Sequence, residues 1–181
     1  QVKLSEQIPT DIQAILMGAV TDSLMSDEYR NISDFLSRGG DLFITQSKIK
    51  TNLQVQQALP IQSDIFSLLS KYGFSVQDNL VTDQICGRVN VQQQMGPIRM
   101  NVPIEYPLLP VIRNFNPNES IVSGLEQMQL IFASEVRQDS SSMGSVQFYP
   151  LIYTSENSGE MRGNFNLNPD PQQNPFMRMF N

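Results

Sequence analysis

A helix, a glycine and a short strand are predicted to follow one another twice in the first half of this sequence. Residues 12–20 form an apolar run that predicts a parallel strand buried on both faces. Residues 26–38 then carry apolar side chains at helical spacing, and Gly39 and Gly40 predict the C-terminal end of this helix. Residues 41–45 predict a second buried strand. This order predicts a βαβ unit with a right-handed crossover.

The second occurrence follows a polar segment. Residues 46–62 predict a loop, after which Ser63 is the predicted cap of a second helix. Gly73 predicts the end of that helix, and residues 74–76 alternate as a strand does. We therefore expect an α/β fold, a three-layer α/β/α sandwich with a mainly parallel sheet. Its predicted core consists of apolar residues from these elements and one later strand: Ile15, Leu16, Phe35, Leu36, Leu42, Ile44, Phe66, Leu69 and Ile131.

A β-hairpin is predicted in the middle of the chain. Apolar and polar residues alternate on both sides of Gly96, which marks the predicted turn. We expect this hairpin, over about residues 87–106, to be an insertion at the edge or top of the sandwich. Pro103, Pro107 and Pro110 predict that the following stretch is extended and irregular.

Two further strands, at residues 128–133 and 147–154, complete the predicted α/β domain, which we assign to residues 1–154. Residues 155–181 are rich in Asn, Pro, Gln and Gly and predict an irregular tail. No apolar run approaches the roughly 18–20 residues that a membrane helix needs. Because the sequence opens within a pattern and without methionine, we expect it to be a fragment of a longer, membrane-anchored protein.

Composition excludes several classes of function. The chain has no histidine, which excludes Ser-His-Asp and Cys-His catalysis and every His-ligated metal site. Its net charge of −6 repels phosphate backbones, so we expect no nucleic-acid partner. Cys86 is the single cysteine and lies beside apolar residues, which favours a buried structural thiol over a reactive one. We predict no cofactor and no metal site.

Three acidic residues are the candidates for metal binding or acid–base chemistry. Asp22, Asp27 and Glu28 follow the first predicted strand, at the end where open α/β sheets bind ligands. We favour a structural role for Asp27 and Glu28, because acidic residues in the first turn of a helix complement its dipole. The glycine pair at 39–40 does not predict a phosphate loop, because it ends a helix rather than opening one.

Serines are the remaining candidate nucleophiles. Ser47, Ser134 and residues 140–142 lie in no nucleophile-elbow motif, and no histidine is present to act as a base. A pair of Ser47 with Lys48 stays open, although adjacent side chains usually point apart. We assign no catalytic residue. The apolar end of the tail, residues 176–180, is expected to pack within the parent protein rather than against a partner.

Several motifs resemble those of one protein family. Residues 4–11 lead into the first strand, and residues 26–42 give the helix, the glycine pair and the next strand. The more specific motif is Pro-Leu-Leu-Pro-Val-Ile-Arg-Asn-Phe-Asn-Pro at 107–117, followed by Ile-Val-Ser-Gly-Leu-Glu at 121–126. On these motifs the chain resembles, over most of residues 4–154, the gliding-motility-associated auxiliary component of ABC transporters, which is common in Bacteroidetes.

The resemblance implies an N-terminal membrane anchor, a large periplasmic region and a C-terminal membrane helix. It also implies ABC permease and ATPase subunits as partners, and a fold similar to glutamine amidotransferases or flavodoxins. It carries over no catalytic residues. We therefore expect a non-catalytic, extracytoplasmic domain of an inner-membrane protein, linked to gliding motility or secretion, that acts through protein–protein interaction. The alternatives are a carbohydrate- or peptide-binding domain and, less favoured, a degenerate amidotransferase-like enzyme.

Overall fold

The computed structural model describes residues 2–95, 97–139 and 146–179. In chain order its elements are β1 (Ala14–Met17), α1 (Ser26–Ser37), β2 (Asp41–Ile44), β3 (Ile49–Asn52), β4 (Gln57–Pro60), α2 (Ile65–Lys71), β5 (Phe74–Val76), β6 (Asn79–Asp83), β7 (Cys86–Met95), β8 (Ile98–Ile112), β9 (Asn114–Phe115), β10 (Met128–Gln129), β11 (Val136–Gln138), β12 (Ile152–Tyr153), β13 (Ser158–Arg162) and β14 (Phe165–Asn166). Short 3₁₀ turns lie at Ser120–Val122 and Pro175–Met179.

The chain forms two compact units, each assembled from three separate segments. The first unit comprises Gln1–Lys48, Pro60–Gln77 and Val136–Phe148. The second unit comprises Ile49–Leu59, Asp78–Glu135 and Tyr149–Asn181. Each core is therefore built from segments that are distant in sequence, and local sequence patterns do not predict such pairings.

The first unit contains both helices and one parallel strand pair. In β1 and β2, Ala14 lies opposite Asp41 and Met17 lies opposite Ile44. The inner face of this pair packs on the helices, through a cluster of buried residues that contains Met17, Ile32, Ile65 and Leu68. Neither helix, in the part of the chain that the structure describes, is long and apolar enough to cross a membrane.

Glycine ends both helices, as predicted. Gly39 after α1 and Gly73 after α2 adopt φ angles of +86° and +84°, in the left-handed region that other residues rarely enter. Helix α1 begins at Ser26, with Met25 at the cap position. The carboxylate of Glu28 accepts a hydrogen bond from the Met25 amide at 2.9 Å, which satisfies one free donor at this end.

The predicted three-layer sandwich with a mainly parallel sheet is wrong. The parallel pair described by the structure consists of two short strands, β1 and β2, and β5 pairs antiparallel with β11 instead of extending that sheet. The outer face of the β1–β2 pair is open, since Leu16 is 77% exposed and Phe43 is 59% exposed. The short apolar run therefore predicted the strand correctly, but its burial on both faces was predicted wrongly. The glutamine-amidotransferase-like or flavodoxin-like fold is not formed.

The second unit is built from antiparallel sheets. Strand β6 pairs with β13, from Asn79 opposite Arg162 to Asp83 opposite Ser158. Strand β8 lies between β7 and β10, β14 and β3 flank β4, and β12 pairs with β9. These sheets enclose a core of buried side chains: Ile49, Ala58, Leu80, Tyr106, Leu108, Phe132, Met161, Phe165, Leu167 and Met177.

The predicted irregular stretch after the hairpin is instead strand. Strand β8 continues through Pro103, Pro107 and Pro110 to Ile112. Proline favours a φ angle that an extended strand tolerates, and it keeps its carbonyl as an acceptor. The carbonyl of Pro110 accepts a hydrogen bond from the Leu130 amide at 2.9 Å. Tertiary pairing therefore made a strand of a segment whose prolines predicted irregular backbone.

The segment after residue 155 differs from the expected irregular tail. It contains β13 and β14, and Met161 and Phe165 in these strands are each 3% exposed. Leu167 accepts a hydrogen bond at its carbonyl from the buried Tyr106 hydroxyl at 2.6 Å. The segment is thus part of the core of the second unit, although its composition predicted no packed structure.

Candidate interaction surface

Strands β7 and β8, of ten and fifteen residues, form a long hairpin in the second unit. Its two strands run antiparallel, with Arg88 opposite Glu105, Val91 opposite Val102 and Met95 opposite Ile98. The hairpin is present as the alternating pattern predicted, while the predicted turn residue Gly96 lies outside the described residues. Side chains alternate between two faces along each strand, so one face of the hairpin is polar and the other is apolar except for Gln93, which lies opposite Met100.

The apolar face leaves the core and continues into solvent. At its base, Val89 packs against the core of the second unit. Further out, Val91 and Val102 are half-buried, whereas Met100 is 49% exposed and Ile98 is 61% exposed. We call the four outer residues, Val91, Ile98, Met100 and Val102, the hairpin face.

The opposite face of the hairpin is polar. Arg88 donates to the Glu105 carboxylate at 3.2 Å, and both side chains are exposed. Asn90, Gln92 and Asn101 are also exposed on this face. An exposed ion pair of this kind contributes little stability.

The outer part of this amphipathic hairpin has an apolar face that the core of the second unit does not cover. A two-stranded ribbon is marginally stable in water unless its apolar face packs on something. Contiguous exposed apolar residues bordered by polar ones commonly mark an interaction site. The hairpin face combines both properties. The sequence predicted the hairpin but did not identify this face as a site, although the apolar residues at alternate positions of both strands are the signal for it.

A buried carboxylate holds the base of the hairpin. Asp83 ends β6 and is 0% exposed. Its carboxylate accepts hydrogen bonds from the Ser155 hydroxyl at 2.6 Å, the Ser155 amide at 2.7 Å and the Ile85 amide at 2.8 Å. The Ile85 bond shapes the turn that leads into β7. These contacts give Asp83 a structural role.

A second polar cluster surrounds the fully buried Asn79 at the start of β6. Its side-chain amide donates to the carboxylates of Glu135 and Glu160, and its side-chain carbonyl accepts from the Glu135 amide at 3.0 Å. Glu160 also pairs with Arg162 at 2.7 Å. The cluster joins β6, β13 and the segment before β11. Both carboxylates accept hydrogen bonds from the same neutral amide, so the cluster has a structural role.

The three predicted acidic candidates do not form a site. Asp27 pairs with Arg30 at 2.7 Å on the exposed surface of α1, and Glu28 bonds to the start of that helix. Asp22 is exposed, and its backbone carbonyl accepts from the Ser63 hydroxyl at 2.8 Å. Within the described ranges, no group of three or more acidic or cysteine residues is placed to hold a metal ion.

The other predicted candidates are also dispersed. Lys48 lies 5.2 Å from the ring centre of Phe66, in a cation–π contact, and the neighbouring Ser47 is half-buried. Ser134 donates its hydroxyl to the carbonyl of Asn79 at 2.8 Å. Residues 140–142 lie outside the described residues. Gly39 and Gly40 follow α1, as the helix-ending interpretation requires.

Cys86 and the apolar end of the tail have structural positions. Cys86 is half-buried at the start of β7, and burial raises the pKa of its thiol, with the nearby carboxylates of Glu105 and Asp83 adding to the rise. A raised pKa lowers the thiolate fraction and hence reactivity. Met177 is 0% exposed and Phe176 packs beside it, both within the core of the second unit.

The first unit has a shallow depression of about 320 Å³, lined by Gln7, Ile8, Asn31, Asp34, Ser37 and Arg38. The Arg38 guanidinium already donates to the Ile8 carbonyl at 2.9 Å, and the Asn31 amide donates to the Leu4 carbonyl at 2.8 Å. Its two best donors are therefore engaged within the chain, which makes this depression a poorer candidate than the hairpin face.

Comparison with known proteins agrees with a role in transport. A family model described as an ABC-type uncharacterized transport system matches residues 1–181. An uncharacterized protein of Borreliella burgdorferi is 25% identical over 182 residues, which cover 94% of this chain and 34% of the relative. The chain thus spans about a third of that relative's length. No solved structure matches significantly. Since the family model covers the whole sequence, the chain belongs to the family of auxiliary proteins of ABC-type uncharacterized transport systems.

Proposed function

We propose that this chain is a non-catalytic, extracytoplasmic domain of an ABC transport auxiliary protein, and that it binds a protein partner through the hairpin face. The observation that carries the proposal is the apolar stripe of β7 and β8, which continues beyond the core to Ile98 and Met100. Family membership supplies the transport context. A projecting ribbon with one apolar side is suited to docking and offers no enclosed volume for a small substrate.

The buried polar residues support a non-catalytic role. Asp83 and Asn79, both fully buried, hold neighbouring strands through hydrogen bonds within the chain. A general acid or base needs a free lone pair or proton directed at a substrate. In these two clusters the polar atoms bond to the chain itself, so their geometry serves the fold.

The direct partner that we propose is the permease of the same system. The ATPase would be an indirect partner that binds the permease. An extracytoplasmic domain meets a membrane-embedded permease directly, whereas an ATPase acts on the cytoplasmic side. The apolar hairpin face fits an apolar surface of such a subunit. We also propose a role in gliding motility or secretion, which rests on the motif at residues 107–117.

Site-specific photo-crosslinking of the full-length protein in its own membranes tests the docking proposal. A photoreactive residue replaces Met100 on the hairpin face or, as the matched control, Asn101 on the polar face. We expect covalent recovery of the permease from position 100 and little from position 101. Equal recovery from both positions, or recovery of neither permease nor ATPase from position 100, contradicts the proposal.

Location is tested on the same full-length protein. A variant with Cys86→Ala and Asn101→Cys carries one exposed thiol on the polar hairpin face. We expect a membrane-impermeant maleimide to label this thiol in cells whose outer membrane has been permeabilised and whose inner membrane is intact. Labelling only after the inner membrane is lysed rejects the extracytoplasmic location while leaving the docking face to the crosslinking test.

A further inference from the structure

Strand β7 leaves one long backbone edge open. In the sheet of β10, β8 and β7, strand β7 is at the edge, and no other described strand pairs with its outer side. It is ten residues long and pairs with β8 in regular register from Arg88 to Met95, so no bulge interrupts its outer edge over this length. The N–H and C=O groups on such an edge are a template for another strand.

The edge lacks the usual protection against pairing. Natural edge strands carry lysines, prolines or bulges that keep other strands away. Residues 89–94 contain neither charge nor proline, and the one irregularity of register lies earlier, between Cys86 and Arg88. The central part of β7 is therefore compatible with forming another antiparallel ladder.

The side chains of this edge favour a copy of the same strand. Asn90 and Gln92 are exposed, and a side-chain amide both donates and accepts, so it is complementary to another amide. If two copies of β7 pair about a twofold axis at Val91, Asn90 of one copy faces Gln92 of the other. In that register Val89 faces Gln93, and Arg88 has no like charge opposite it.

Twofold pairing also keeps the two faces separate. Residues related by the axis differ by an even number of positions, so apolar faces adjoin apolar faces and polar faces adjoin polar faces. We propose that two copies of this chain associate through antiparallel pairing of β7, so that the two hairpins become adjacent parts of one continuous sheet. The proposal uses the strand edge, whereas the proposed function uses the hairpin face, so each stands or fails separately.

Net charge predicts how this association depends on salt. Each copy carries a net charge of −6, so two copies repel one another at long range. Added salt screens this repulsion while leaving backbone pairing in place. Dimerisation through β7 is therefore expected to strengthen, rather than weaken, between low and physiological ionic strength.

Analytical ultracentrifugation of the full chain, over a range of concentrations, tests the proposal. We expect a reversible monomer–dimer equilibrium. Gln92→Lys places two lysines near the axis and is expected to weaken dimerisation about tenfold. Asn101→Lys is the matched control, because Asn101 is the partner of Gln92 on β8 and lies on the same polar face. It is expected to change the dimer affinity less than about twofold.

Disulfide trapping then locates the axis. Single cysteines at positions 89–93, in a Cys86→Ser background, are oxidised under mild conditions. Residues opposite one another across a twofold axis meet the Cα separation that a disulfide requires, so one position is expected to cross-link far more than its neighbours. A chain that stays monomeric at all concentrations overturns the proposal. So do equal effects of the two lysine variants, or uniform trapping along the strand, in variants that unfold like the wild type.

Discussion

Asp83 and Ser155 lie 72 residues apart in sequence and are joined by two hydrogen bonds, from the Ser155 hydroxyl at 2.6 Å and the Ser155 amide at 2.7 Å. The same carboxylate accepts the Ile85 amide at 2.8 Å. One buried side chain thus links the end of β6, the start of the hairpin and the segment that leads into β13. Because burial of an unpaired carboxylate is costly, these three bonds offset the cost of burying this one.

Loss of this carboxylate is expected to destabilise the chain strongly. Asp83→Ala removes the acceptor of three hydrogen bonds and leaves the part-buried amides of Ile85 and Ser155 without it, which costs on the order of 2–3 kcal/mol. Ser155→Ala removes the hydroxyl bond to Asp83 and the bond accepted from the Asn157 amide, but it keeps the carboxylate and is expected to cost less. Urea denaturation measures both, with the exposed Asp11→Ala as the control. Equal stability of Asp83→Ala and the control contradicts the structural role.

Gly40 is expected to tolerate no side chain. A Cβ atom at this position overlaps the ring of Phe35, which is 1% exposed, so the ring can shift only by disturbing the core around it. Gly40→Ala is therefore expected to lower the free energy of unfolding by about 1–3 kcal/mol. Gly18→Ala is the control, because a Cβ there meets no atom within 4 Å, and its effect is expected to be within about 0.5 kcal/mol. Similar thermal unfolding of both variants rules out this packing.

Met177 tests whether the end of the chain belongs to the core. The side chain is 0% exposed, so Met177→Ala leaves a cavity and is expected to cost about 2–5 kcal/mol. Met25→Ala makes the same chemical change at a residue that is 61% exposed, and is expected to be close to neutral. A neutral result at Met177, measured by denaturant unfolding, indicates that residues after 174 do not contribute to the fold in solution.

The pKa of Cys86 predicts a pH dependence with a defined sign. Burial raises the pKa, so the folded state favours the neutral thiol. The stability that the thiol contributes is complete below the pKa of the unfolded chain, about 8.5, and is lost as the pH rises through the folded value. The stability difference between wild type and Cys86→Ala is thus expected to shrink from pH 7 to pH 10. A constant difference across this range contradicts the effect of burial.

Local features were predicted well where one residue type decides the backbone. Gly39 and Gly73 end the helices because each adopts a left-handed φ angle. The alternation on both sides of residue 96 identified β7 and β8 because side chains of a strand alternate between two faces. The predicted core was only partly correct. Phe35 and Leu69 are buried, whereas Leu16 and Ile131 are 77% and 69% exposed.

The expected sandwich failed because strand partners are chosen by distant segments. Strand β5 pairs with β11 and β6 pairs with β13, and neither partner adjoins it in sequence. Hydrophobic periodicity reports which side of an element is apolar, but it does not report which element covers that side. The same reason explains why the hairpin was predicted and its uncovered face was not.

The sequence by itself determined where both helices end, where the hairpin lies, and which chemistry is excluded by the absence of histidine. Tertiary structure alone decided the antiparallel pairing, the place of the tail in the core, and the exposure of Ile98 and Met100. The first set depends on backbone preferences and composition, which act within a few residues. The second depends on contacts between segments far apart in the chain. These contacts contribute to the free energy of folding only once tertiary structure has brought the segments together.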